Sequence, residues 1–432
     1  RALAINPRFA QAHSNLGVAL KSQGHQAEAE ACFRKAIALN ADCADAYNNL
    51  GTTLCEQRRF VEAEEAYVQA LRVRPEFAEA CYCLGSVLIA QQRLSEAETQ
   101  LRKAVAYRPN YLDAHLNLGV ALSRLGQFKK AKNCFQAVLA INPECDEAYA
   151  HLGVAESGLG ETDLAIRYCR KAIEAKPGNA NAHSGLLFMQ SHSAMVDAAA
   201  LFAEHCRYGE QFEAPLRDSW PQHTNTRDPE RCLQIGFISA DLYNHAVANF
   251  IEPIWACLAD CPKVSLHAYY NDTIEDDVTR RLRAHVKQWH AIAFLPEADL
   301  AEKILEDKID ILIDLSGHTG KNRLLAFARK PAPVQASWMG YPGTTGLQAM
   351  DYYFADRYFL PPGQFDDQFT EKPVYLPVSV PFLPYESALP INDLPALSAG
   401  YLTFGSFNRL SKLSISTIAL WSQLLRAVPE CQ

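Results

Sequence analysis

The sequence predicts two joined architectures: an α-helical solenoid of paired helices over residues 1–178, then an α/β lobe built on a parallel sheet. Three observations carry the prediction. Leucine-glycine pairs recur at Gly17, Gly51, Gly85, Gly119 and Gly153, a period of 34 residues. From Leu233 onward, short apolar runs of strand length alternate with longer helical patterns. Between the two, Pro215, Trp220, Pro221, Asn225 and Pro229 mark a connector rather than a packed element.

Taken in order, Ala2-Leu3-Ala4-Ile5-Asn6-Pro7 reads as the tail of a helix already under way, so further sequence is expected before it. Twelve positions after each repeated glycine stands Ala29, Ala63, Ala97, Ala131 or Ala165. Small residues at both places let two antiparallel helices approach closely, while Phe33, Tyr67 and Phe135 fill the gap. Pro75, Pro109, Pro143 and Pro177 then stop each second helix. Period and pattern resemble the tetratricopeptide repeat. Five full repeats run from about Phe9 to Gly178, and a sixth beginning at Asn179 has Leu187 in place of the glycine, as an end cap would. Two residues before the glycines lie Asn15, Asn49 and Asn117. An amide both donates and accepts, so such a column on the concave side would grip the backbone of an extended partner peptide.

The totals narrow the function classes. At 432 residues the chain holds two or three domains, and its formal charge of −8 argues against a general nucleic-acid or anionic-membrane binder. No apolar run approaches the roughly 18 residues that span a bilayer. Thirteen scattered cysteines, odd in number, read as reduced thiols of a cytoplasmic protein. Neither Cys81 with Cys83 nor Cys257 with Cys261 has the spacing of a zinc site, and no metal site is expected.

In the second half, strands are predicted at Leu233–Ser239, Val264–Tyr270, Ile309–Asp314, Val334–Trp338 and Asp351–Ala355. Helices are predicted at about 194–211, 249–258, 275–290, 299–307 and 322–329. Three loops after strands stand out. The first carries His245, at the carboxyl end of the first strand, where open α/β folds bind ligands. The second is Asp314-Leu315-Ser316-Gly317-His318-Thr319-Gly320-Lys321. The third, Gly340-Tyr341-Pro342-Gly343-Thr344-Thr345-Gly346, is tightly turned, with backbone N–H groups placed to face a ligand. Neither loop has the spacing of a Walker loop or a GxGxxG fingerprint. A proline-rich crossover follows, and Tyr401–Ser406 reads as a new strand leading to a helix from Ser414 to Ala427. One strand and one helix cannot enclose a core, so residues 401–432 are expected to open a lobe whose remainder is absent.

The motifs GFISAD with His245 four residues on, DLSGHTG, PAPVQASWMGYPGTTG, MDYYFAD and FGSFNRLSK, following helical repeats, resemble the protein O-linked N-acetylglucosaminyltransferase family, SPINDLY-type members included. The resemblance covers nearly the whole chain. It implies a two-lobed GT-B glycosyltransferase, inverting and metal-independent, with no cofactor beyond the nucleotide-sugar co-substrate. The acceptor would be a serine or threonine of a protein threaded along the repeats; the donor would be UDP-N-acetylglucosamine or, as in SPINDLY-type relatives, GDP-fucose. His245 then matches the family's active-site histidine, as base or as positioning group. Lys412 matches its diphosphate-contacting lysine. Asp241, His318, Thr319, Gly340, Tyr341, Pro342, Gly343, Thr344 and Arg409 fall in the donor and acceptor region. Arg409, His318 and Ala246 depart from the glutamine, tyrosine and proline found in relatives. The resemblance divides the chain into repeats (1–178), capping helices and connector (179–231), first catalytic lobe (232–378), crossover (379–400) and the start of a truncated second lobe (401–432). A fragment so cut is expected to lack activity. The rival reading is a peptide-binding repeat scaffold without catalysis, and the repeats also offer a route to oligomers.

Overall fold

The computed structural model describes residues 2–381, 392–408, 413–428 and 431. It divides into two compact units, residues 1–159 and 160–432.

The first unit is the helical array. A short α1 (Ala2–Ile5) precedes the pairs α2 (Ala10–Ser22) with α3 (Gln26–Leu39), α4 (Ala44–Glu56) with α5 (Phe60–Val73), α6 (Ala78–Ala90) with α7 (Leu94–Tyr107) and α8 (Leu112–Arg124) with α9 (Phe128–Ile141), followed by α10 (Asp146–Gly158). α5, α7 and α9 each end two residues before a proline, through an extended residue that the ring of the following proline favours, whereas α3 is followed by Ala41. The repeated glycines are needed for contact. A methyl at Gly17, Gly51 or Gly85 would press within 2.7 Å of Phe33, Tyr67 or Leu101, its partner on the next helix. The alanines at 29, 63, 97 and 131 have no exposed surface.

One repeat position carries a conformational demand the pattern of prolines and alanines does not show. The turn between paired helices needs a left-handed residue, supplied by Gly24 and Gly126 but also by Arg58 and Gln92 with φ of 62° and 64°. A non-glycine there costs about 1–2 kcal/mol. Arg59 and Arg93, next in the chain, meet Glu30 and Glu64 of the preceding repeat. Being still partly exposed, such pairs add register more than stability.

The second unit begins with α11 (Thr162–Ala175), α12 (Ala180–Gln190) and α13 (Ala198–Phe212). Then come β1 (Leu233–Ser239), α14 (Ala246–Ala259), β2 (Val264–Tyr270), α15 (Asp277–Ala284), β3 (Gln288–Ala291), α16 (Glu297–Glu306), β4 (Ile311–Asp314), α17 (Leu324–Phe327), β5 (Val334–Trp338), β6 (Tyr352–Ala355) and β7 (Lys372–Tyr375), and finally α18 (Pro395–Ala399) and α19 (Ile415–Ala427). The sheet runs β3-β2-β1-β4-β5-β6-β7, parallel throughout.

Alternation along the strands sends side chains to two cores. Ile238, Tyr269 and Leu312 join Leu300 and Ile304 of α16 and Phe327 of α17 on one face; Phe237, Tyr270 and Ile313 join Ile251 and Trp255 of α14 on the other. The capping helices belong to the first core. Leu187 of α12 and Tyr208 of α13 are buried in it, so the residue that replaces the repeat glycine anchors the array's end to the sheet face. The connector is likewise tied down: Trp220 Nε1 donates to the Ala328 carbonyl (2.9 Å), and Asn225 and Arg231 bond Asp310.

Three expectations need correction. The helix predicted over 275–290 ends at Ala284, because the capping box of Asp276 and Thr279 starts a short helix and Gln288–Ala291 pairs with β2 as an edge strand. β7 was not expected, since Lys372-Pro373-Val374-Tyr375 is half polar and carries a proline, which only an edge strand tolerates. Residues 401–406 form no strand: among the described residues none pairs with them, and Phe404 and Phe407 lie exposed.

Candidate functional site

The order of strands decides where a ligand can bind. The chain leaves β1 for β2 and β3 on one side, then returns to lay β4 on the other side of β1, so the loops after β1 and β4 diverge to opposite faces and leave a crevice at the strands' carboxyl ends. The loop after β1 holds His245, and the loop after β4 is Leu315–Lys321.

His245 is the N-cap of α14. Its backbone is extended, and its Nδ1 accepts from the Val247 N–H at 3.3 Å, satisfying one of the helix's free donors. Asp241 Oδ2 stands 3.9 Å from the same nitrogen, too far for a hydrogen bond. With Nδ1 accepting, the neutral ring carries its proton on Nε2, which makes that nitrogen a donor. The loop itself is fixed: Asp276 accepts from the Asn244 N–H (2.8 Å), and Thr279 donates to the Leu242 carbonyl (3.0 Å). Asp241 is partly buried; burial raises its pKa, against the nearby His245 and Lys321.

Asp314 ends β4 without surface exposure and organises the second loop. It accepts from the N–H groups of Ser316 (3.0 Å) and Gly317 (2.7 Å) and from the Ser337 hydroxyl (3.0 Å). Burial outweighs these bonds and pushes its pKa up to about 6. Thr319 closes the turn on the Ser316 carbonyl (2.8 Å), and Lys321, held at φ 58°, pairs with Asp272 after β2.

The third loop, after β5, is built from inside. Gly340 lies against the Leu315 backbone with no room for a methyl group. The Tyr341 hydroxyl lies 3.0 Å from His205 Nε2, and Tyr353 donates to the Tyr341 carbonyl (3.0 Å). Buried Glu371 accepts from the Thr344 hydroxyl (2.6 Å), the Thr345 N–H (2.7 Å) and the Thr345 hydroxyl. Only Pro342 is fully exposed within Gly340–Gly346.

His318 joins the second and third loops to the capping helices. Its Nε2 lies 2.9 Å from the Thr345 carbonyl, which can only accept, so Nδ1 is the bare nitrogen that receives the Ser184 hydroxyl (3.1 Å). His205 is fixed the other way round: Nδ1 donates to the Leu201 carbonyl (2.8 Å) and Nε2 accepts from Tyr341. Burial holds both imidazoles neutral, His205 at a pKa of about 4. An unfolded histidine titrates near 6.5. Below that pH the unfolded chain binds the proton and the native one does not, so this stability is present above 6.5 and lost as pH falls towards 4. We expect the stability advantage of the wild type over His205→Gln, measured by denaturant melts, to shrink by about 2–3 kcal/mol between pH 7 and 4.

Set against the sequence reading, Asp241, His245, Thr319, Pro342 and Gly343 gather at the carboxyl edge of the sheet with side chains or backbone wholly or partly open to solvent. The rings of His318 and Tyr341 and the hydroxyl of Thr344 are buried and engaged inside the protein. Gly340 acts through its lack of a side chain. Arg409 and Lys412 lie outside the described residues. Of the asparagines, Asn15 is exposed and accepts from Gln11 (3.0 Å), Asn49 is half-buried, and Asn117 donates to Ser86 of the preceding repeat (2.9 Å). Sequence reasoning missed Asp314, Glu371, Ser184 and His205. Asp314 stood within a quoted motif; the other three have no local signal.

Capping helices α12 and α13 packed on the face of a parallel α/β sheet, with a histidine-bearing crevice at the switch point and helical repeats before them in the chain, define a Rossmann-like ligand-binding lobe. Residues 175–384 match the glycosyl transferase family 41, and residues 10–43, 44–77, 88–153 and 146–179 match tetratricopeptide repeats. A mutant of the Thermobaculum terrenum O-GlcNAc transferase superposes with a TM-score of 0.75 at 31% identity, over 82% of this chain and 67% of that one. The probable UDP-N-acetylglucosamine–peptide N-acetylglucosaminyltransferase SPINDLY of Arabidopsis thaliana is 40% identical over 238 residues, 53% of this chain and 25% of the relative. The UDP-N-acetylglucosamine–peptide N-acetylglucosaminyltransferase of Caenorhabditis elegans is 30% identical over 202 residues, 45% of this chain and 17% of the relative. The chain belongs to the O-GlcNAc transferase and SPINDLY-like family of glycosyltransferases. It spans about a quarter of the length of the SPINDLY relatives it matches. Among the described residues no helix is long and apolar enough to cross a membrane.

Proposed function

We propose that this chain forms the repeat-bearing, acceptor-side part of a protein O-glycosyltransferase that moves N-acetylglucosamine from UDP-N-acetylglucosamine to serine or threonine hydroxyls. The bond from the sugar's anomeric carbon to the donor phosphate breaks, a bond to the acceptor oxygen forms on the opposite face, and the hydroxyl proton leaves. The reading needs no metal, with Lys412 in the role of the cation that offsets charge on the departing diphosphate. The observation that carries it is that His245, after β1, and the internally braced Gly340–Gly346 loop, after β5, stand at the same carboxyl edge of one parallel sheet. Such an edge holds a polar acceptor group still while the donor is attacked. Partner proteins would lie along the repeats, gripped in part by Asn15 and Asn49.

The test is a transfer assay with the full-length protein, a panel of serine- and threonine-containing peptides, and radiolabelled UDP-N-acetylglucosamine beside GDP-fucose. Label from the UDP-sugar on a hydroxyl is the expected result. Label from GDP-fucose alone would make it a fucosyltransferase. Peptide binding without transfer from either donor would overturn the enzyme reading in favour of a scaffold.

A further inference from the structure

We propose that His267, His290 and Asp307 form a binding site for one borderline divalent ion of the zinc class, apart from the crevice and independent of glycosyl transfer. His267 sits in β2 and His290 in the neighbouring edge strand β3, where it is paired in register with Tyr269. Residues two apart on a strand share a face, so both imidazoles stand on the side of Tyr269. Their rings are near-parallel with centroids 6.1 Å apart. Asp307 comes from the connection between α16 and β4, which in a parallel sheet lies at the edge opposite the crevice.

The donor atoms face one another. One ring nitrogen of His267, one of His290 and a carboxylate oxygen of Asp307 lie within 4.8 Å of one another. The Nε2 of His267 is 2.9 Å from Gln234 Oε1, an oxygen that only accepts, so this nitrogen bears the ring proton and Nδ1 keeps a bare lone pair. That Nδ1 is buried with no hydrogen-bond partner, and so is His290 Nε2. The latter stands 3.4 Å from Asp307 Oδ2. Zinc–ligand bonds of about 2.0–2.1 Å place neighbouring ligands of a tetrahedron about 3.3–3.4 Å apart.

The surroundings are those of a ligand set. Gln234 orients His267 as an outer partner orients a metal-bound imidazole. Tyr269 donates to Asp307 Oδ2 (2.7 Å) and Lys303 to Oδ1 (3.2 Å), which leaves carboxylate lone pairs for an ion. The Lys303 side chain is one-third exposed and can turn to water as the ion takes up the carboxylate's charge. Two imidazoles and one carboxylate suit zinc and its neighbours rather than magnesium or calcium. The ion would clamp the edge strand β3, a four-residue strand paired on one side only, to the α16–β4 connection.

The experiment titrates Zn²⁺ into the reduced protein and into His290→Gln and Asp307→Asn, because the free thiols bind zinc as well and must be subtracted. The wild type is expected to take up one more ion than either variant, or to bind that ion at least 10- to 100-fold more tightly, the scale on which even outer-shell losses are felt. Equal uptake and affinity in all three folded proteins would overturn the site. A wild-type crystal soaked in zinc decides the matter without any variant. An anomalous peak between His267 Nδ1 and His290 Nε2 supports the site, and peaks at cysteines alone refute it.

Discussion

His245→Ala is expected to lower turnover by about 10²- to 10⁴-fold while leaving folding and peptide binding near wild type. The side chain is one-third exposed and makes a single 3.3 Å bond as a helix cap, so its removal disturbs little else. The geometry also separates two roles. A general base would present an unprotonated Nε2 to the acceptor hydroxyl, whereas this ring spends Nδ1 on the Val247 N–H and carries its proton on Nε2. As a donor, His245 should be partly replaced by glutamine, whose amide also donates; as a base it should not. Full-length His245→Gln assayed beside His245→Ala distinguishes them: equal losses in the two variants, with the acidic limb of the pH–rate profile gone, would assign proton transfer instead.

Gly346→Ala is expected to destabilise the second unit by about 3–5 kcal/mol and to abolish any activity that depends on the neighbouring loop. Gly346 has φ of 74°, and a methyl group there would strike the His205 carbonyl oxygen; reciprocally, a methyl on Gly209 of α13 would strike the Gly346 carbonyl. Both obstacles are backbone, so no rotamer change relieves them. Gly363→Ala is the control. It has nearly the same φ, 76°, with nothing within 4 Å, and should cost only the backbone term of about 1–2 kcal/mol. Urea melts of the two variants measure the difference. Similar losses would mean that α13 and the loop do not meet as closely as described.

Both positions illustrate how the site is held. The loop Gly340–Gly346 is fixed less by its own turns than by Glu371 beneath it and by α12 and α13 beside it, through Ser184, Leu187, His205 and Tyr208. The capping helices α12 and α13 therefore help to hold the loop in place. A change at His205 or Ser184, remote in sequence from His245, should reach the site through His318 and Tyr341.

Much of this was legible in the sequence. Periodicity fixed the repeats, because every copy must solve the same packing problem and so reuses glycine, alanine and proline at the same places. All five predicted strands were found, β1, β2 and β5 with their predicted bounds and β4 and β6 slightly shorter, since largely buried parallel strands leave mainly apolar runs. The position of His245 followed from the strand before it. Short edge strands were not legible: β3 and β7 are half polar and are defined by the neighbour they pair with. Nor was the left-handed turn at Arg58 and Gln92, where packing on both sides imposes a conformation those residues do not prefer.

The sequence by itself thus determined the repeats, the five buried strands, the family and the histidine at the first strand's end, all of which rest on local pattern. Only the tertiary structure decided which polar residues face the crevice. His318, Tyr341 and Thr344 share one polar neighbourhood in sequence with Thr319, Pro342 and Gly343, yet burial turns the first group inward, where each polar atom must find a partner, and leaves the second at the surface. It also brought His267, His290 and Asp307 together from a strand, an edge strand and a loop, a meeting that register and fold create and no spacing along the chain records.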